Sequence, residues 1–108
     1  MSNLRTIFLA LLLPAMTGTV MAADPLVVVI KDFKFQPQEV TVKKGSTIRW
    51  ENREKRQYHS VWFQQAGDPE PEYFFPEESY ERHFDTVGDF PYRCGPHPYM
   101  TGTVHVTD

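Results

Sequence analysis

From Leu26 onward, apolar residues fall two apart or in short β-branched and aromatic runs, and Gly, Pro or Asp cuts each run after a few positions. No window keeps the i, i+3, i+4, i+7 spacing of an amphipathic helix. This pattern predicts an all-β domain. Leu26–Lys31 (LVVVIK) reads as a buried strand, followed by Phe33 and Phe35 alternating with Lys34. Glu39–Val42 leads into a turn at Lys43-Lys44-Gly45-Ser46. Strands are then expected at Thr47–Glu51 around Trp50, at His59–Phe63, at Ser79–Phe84, at Phe90–Cys94 and at Gly102–Val106. Gln64–Pro76 holds three prolines and no period, so it reads as a long loop with at most one short helical turn. Seven to eight short strands at this spacing predict a Greek-key β-sandwich of two sheets.

The first 22 residues do not fit that domain. Arg5 supplies a positive start, Ile7–Leu13 an apolar run, and Val20-Met21-Ala22 a small-residue cleavage site, the marks of a secretory signal peptide. A spanning anchor needs roughly 20 apolar residues, and here Pro14 and Thr17 interrupt the run. Met1–Ala22 is therefore expected to be removed on export to the periplasm, with no membrane span afterwards. Residues 23–108 form one domain of 86 residues, expected to be a monomer. A core of that size commonly needs a staple, and Cys94 is the only cysteine, so a disulfide is excluded while a bound metal is not. Loss of Arg5 leaves ten basic against fourteen acidic side chains, a net of −4 that argues against nucleic acid as partner.

The chemistry concentrates in Tyr92–Val106, YRCGPHPYMTGTVHV, where Cys94, His97 and Met100 follow one another as Cys-x2-His-x2-Met. Thiolate and imidazole are strong donors to a soft metal, and a thioether is a weak, long axial one. Pro96 and Pro98 fix φ on both sides of His97 and reduce the entropy lost when the loop curls. A fourth donor must come from elsewhere, and His59 is the natural candidate because it opens a strand after a polar loop. His83 and His105 alternate with inward residues and are expected on the solvent face. Two plainer readings compete: a structural zinc site, against which the thioether counts, and an inert buried thiol, against which the grouped spacing counts. There is no nucleophile–base pair and no phosphate loop, so hydrolase chemistry has no support.

CGPHPYM followed by TGTVHV, with WENREKRQYHSVWF upstream, resembles the cupredoxins, the type 1 copper proteins, and within them the amicyanin and plastocyanin branch. The resemblance runs from about Lys31 to Val106. It implies one copper per chain, held by His59, Cys94 and His97 as trigonal ligands and by Met100 as the axial one. Asn52 would be an outer-shell residue tying the first-histidine loop to the segment bearing Cys94, and Pro96 would limit hydrogen bonding to the thiolate. The Asn52–His59 loop is one residue longer than in amicyanin and basic, and Tyr58 stands where a proline is usual.

The function so implied is single-electron transfer by Cu(I)/Cu(II) cycling, with a c-type cytochrome, dehydrogenase or reductase as partner and the edge of His97 as the exit. The alternative is a copper-stress cupredoxin that binds or oxidises Cu(I), for which His83 and His105 are the leftover donors. Substrate catalysis of the oxidase or nitrite reductase kind normally needs a second copper or an open coordination position.

Overall fold

The computed structural model describes residues 24–108; the expected signal peptide, Met1–Ala22, lies outside the described residues. Seven strands make two sheets. β1 (Leu26–Lys31), β2 (Lys34–Gln36), β4 (Ser46–Asn52) and β5 (Ser79–Phe84) form one in the order β2-β1-β4-β5. β3 (Glu39–Lys43), β6 (Gly88–Arg93) and β7 (Thr101–Thr107) form the other in the order β3-β7-β6. This is the expected all-β sandwich.

Period-two alternation decides which side chains meet between the sheets. β4 turns Ile48, Trp50 and Asn52 inward, and β7 turns Gly102, Val104 and Val106 inward. β1 lies between β2 and β4, which suits its β-branched run, and buries Val28 and Ile30. Trp50, Phe63, Tyr92, Phe35 and Phe84 fill the centre, and Trp50 meets Tyr92 edge to face at 5.4 Å. Each fully buried side chain of this kind contributes about 1.5–3 kcal/mol. The Trp50 indole N–H donates to the Tyr92 hydroxyl at 3.1 Å, and burial pushes that phenol up to about 12.

Two expectations are corrected. His59–Phe63 is not a strand: it makes isolated bridges, His59 with Phe74 and Trp62 with Arg93. The segment passes from a partner on the loop before β5 to the end of β6, so it cannot extend either ladder. Phe33 does not alternate along β2 but sits in the β1–β2 turn, with φ of 57°. The long loop and its short helical turn are as expected, the latter being a 3₁₀ turn at Gln64–Ala66.

Candidate metal centre

Asn52, the last inward residue of β4, is fully buried at one end of the sandwich. His59 follows after an excursion of the chain and is pinned to Phe74 by two backbone hydrogen bonds, 3.1 Å and 2.9 Å. Cys94 comes one residue past β6, and its loop closes before β7: the Cys94 N–H donates to the Met100 carbonyl and the Met100 N–H to the His97 carbonyl, both at 2.9 Å. Arg93 braces the bend from outside, its guanidinium donating to the carbonyls of Cys94 (3.2 Å) and Gly95 (2.7 Å) while lying over the Trp62 ring. A β-carbon at Gly95 would run into Glu70 and into the Ser60 hydroxyl, so this close approach requires glycine.

These constraints bring three predicted donors together. The Cys94 Sγ is 3.5 Å from Nδ1 of His59 and 3.5 Å from Nδ1 of His97, and all three atoms lie within 4.8 Å of one another. His59 and Cys94 are fully buried, and His97 is half-buried. Met100 is buried on the same loop, 2% exposed. Among the described residues this is the one group of three His, Cys, Asp or Glu side chains with converging ligand atoms. His83 and His105 are elsewhere, on the outer faces of β5 and β7. Both ring nitrogens of each are engaged: His83 with Thr47 and Asp85, His105 with Asp89 and Glu39. A recess of about 640 Å³, lined by residues such as Arg49, Glu51, Arg53 and Glu81, holds none of the three donors.

The surroundings fix charge and proton positions. Ser60 donates its backbone N–H to Sγ at 3.3 Å, and its hydroxyl accepts the Gly95 N–H at 2.8 Å. Burial pushes the Cys94 thiol up, against the pull of the Ser60 N–H. Without a metal the sulfur therefore keeps its proton, is fully buried, and is a poor target for oxidation. Burial lowers His59, and the carboxylate of Glu54 partly opposes it. Glu54 Oε2 is 2.9 Å from Nε2 of His59, leaving Nδ1 to face the sulfur. Burial would raise Glu54 itself, but the N–H groups of Phe33, His59 and Asp32 outweigh it and hold the carboxyl below its ordinary value.

Glu54, Ser60 and Arg93 were not singled out from the sequence. The available signal for Glu54 was only a carboxylate five residues before the candidate histidine. Asn52 is also tied differently from expectation. Its amide donates to the carbonyls of Gln57 (2.9 Å) and Phe74 (3.1 Å), and its oxygen accepts the Glu54 N–H (2.9 Å). The link to the Cys94 segment is made by Ser60, because the Asn52 side chain is engaged by its own loop and by the Phe74 carbonyl. Pro96 stands in the Cys94–Met100 loop and offers no N–H to the sulfur.

Comparison with known proteins points to copper. Residues 23–107 match the family described as copper binding proteins, plastocyanin/azurin family. The chain is 36% identical over 88 residues to amicyanin of Paracoccus versutus, covering 78% of this chain and 66% of that protein. Amicyanin of Paracoccus denitrificans is 36% identical over 89 residues, covering 79% and 67%. The matches thus span about two thirds of these relatives' length. The crystal structure of the Paracoccus versutus protein superposes with a TM-score of 0.72 at 34% identity, covering 80% of this chain and 84% of that one. A thiol between two imidazoles, with a buried thioether on the same loop, fits copper by softness and fits zinc less well. The chain belongs to the plastocyanin/azurin family of copper-binding proteins.

Proposed function

We propose that this protein is a single-electron carrier that holds one copper through His59, Cys94, His97 and Met100. The observation that carries the reading is the asymmetry of the donors: His59 and Cys94 are sealed in the core, while His97 is half-buried at the surface. Bound there, copper supplies a one-electron change between Cu(I) and Cu(II). The chain's part is to keep geometry constant through that change. Its strong donors already converge, each pinned by backbone bonds, so little rearrangement accompanies a change of charge. Met100, buried on the same loop, would add a weak thioether donor to the three strong ones.

His97 is the route between the centre and a partner. Around it Tyr58, Tyr73, Phe75 and Tyr99 expose 40%, 41%, 53% and 69% of their surface, an aromatic face suited to transient docking. A c-type cytochrome, a dehydrogenase or a reductase is the partner class, met in the periplasm after removal of residues 1–22, with the carrier as a monomer. No helix among the described residues is long and apolar enough to cross a membrane.

Copper titration followed by native mass spectrometry tests the reading. One ion per chain with intense visible absorption, both lost in Cys94→Ala, is expected; uptake and colour that survive Cys94→Ala overturn it. Two or more ions per chain would instead favour a role in copper protection.

A further inference from the structure

The β1–β2 hairpin is closed by two residues, since Lys31 pairs with Lys34 and only Asp32 and Phe33 lie between. Both have positive φ, 55° and 57°. Two-residue hairpins that need this conformation favour Asn-Gly or Asp-Gly, because a side chain there crowds the backbone. Asp32 suits the first position. Phe33 occupies the second, where glycine would be unstrained.

The turn is held from outside. Glu54 accepts the Asp32 N–H at 3.2 Å and the Phe33 N–H at 2.8 Å with the carboxylate that also meets His59. So held, the phenyl ring lies 5.0 Å from the His97 ring at 89° and 5.5 Å from the His59 ring at 81°, edge-on to both. It also lines a surface groove with Tyr99 and Met100. One aromatic side chain thus contacts both imidazoles and separates them from solvent on the groove side. A residue kept in an unfavourable conformation beside a functional site points to a role there.

We propose that Phe33 is a positioning residue of the copper centre, held in a left-handed turn by Glu54 so that its ring fixes the orientation of both His59 and His97 and bars water from the groove side. The inference rests on the copper-carrier reading. Its physical content is that His97, half-buried and on a loop, loses rotational freedom against the ring, so the donors are aligned before metal arrives.

The test compares wild type with Phe33→Gly, Phe33→Leu and Asp32→Gly. Copper release from the reduced protein to a Cu(I) chelator is timed, and the His97 ring in metal-free protein is followed by NMR. Phe33→Gly relieves the backbone while removing the ring. It should release copper about tenfold faster, the low end of what losing outer-shell support costs a metal site, and its His97 ring should average over rotamers. Phe33→Leu, which keeps apolar cover, should be intermediate and guards against a glycine variant that fails to fold. Asp32→Gly leaves the ring in place and should match wild type in both readouts. Wild-type release and a fixed His97 ring in Phe33→Gly would overturn the inference alone, as would equal acceleration in Asp32→Gly. Failure of the wild type to take up copper would overturn the carrier reading and this inference together.

Discussion

The Glu54 carboxylate lies 2.9 Å from Nε2 of His59 and is itself 8% exposed, so a buried anion directs the other nitrogen of that ring toward Cys94. It joins the β1–β2 turn to the metal centre through one side chain. Glu54→Gln cannot accept from the turn amides and from His59 together without setting one donor against another. The variant should bind Cu(II) about tenfold more weakly and show a raised reduction potential, because a carboxylate on the imidazole favours the more charged metal. Competition titration and voltammetry check both; an unchanged potential would show that the carboxylate serves the turn only.

Ser60 is fully buried, and its hydroxyl accepts the Gly95 N–H. Ser60→Ala removes that acceptor but leaves the backbone N–H that meets Sγ. The expected loss is about 1–3 kcal/mol, the cost of an unpaired donor, or roughly 4–8 °C in thermal midpoint per kcal/mol. Scanning calorimetry of the metal-free protein measures it, and the visible band of the loaded protein should be preserved.

Pro96 has no N–H to offer the sulfur, which accepts one from Ser60. Pro96→Ala should add a hydrogen bond that withdraws charge from the thiolate and so raise the reduction potential. A potential that stays level or falls excludes this explanation.

His105 is gripped on the outer face of β7, with Nε2 at 2.9 Å from Glu39 and Nδ1 at 2.7 Å from Asp89. The bond to Glu39, then that to Asp89, holds the imidazole above its ordinary value. A group raised on folding stabilises in its protonated form. That contribution is complete below about pH 6.5, the range of an unfolded histidine, and disappears as pH rises through the higher folded value. Urea midpoints of wild type and His105→Gln should therefore converge as pH is raised from about 6 to 9; a constant gap would mean the ring contributes only as a neutral group.

The strands were legible where alternation is regular, as in Ser46–Asn52 and Ser79–Phe84, because period two follows from the pleat alone. The Cys94–Met100 loop was legible because its donors are close in sequence and constrained by two prolines. Phe33 and Glu54 were not. They meet only after a hairpin turn folds onto a loop 21 residues away, and alternation instead placed Phe33 on a strand. Asn52 stands out in the sequence, but its partners depend on how the 53–58 loop curls and where Phe74 lies, and no period specifies that. The His59–Phe63 segment reads as strand by composition. Whether it becomes one depends on neighbours, and its two ends have partners in different places.

β7 occupies the middle of its sheet, paired with β3 on one side and β6 on the other, yet it is the last strand in the chain. Its pairing with β3 joins residues such as Val40 and Val104 that are far apart in sequence, so the second sheet cannot assemble during synthesis of the preceding segments. Cys94 is bonded through its N–H to the Met100 carbonyl just before β7, so the burial of its thiol is completed only when that central strand pairs. Mutations that slow β7 pairing should therefore lengthen the window for thiol damage even when the finished protein is equally stable.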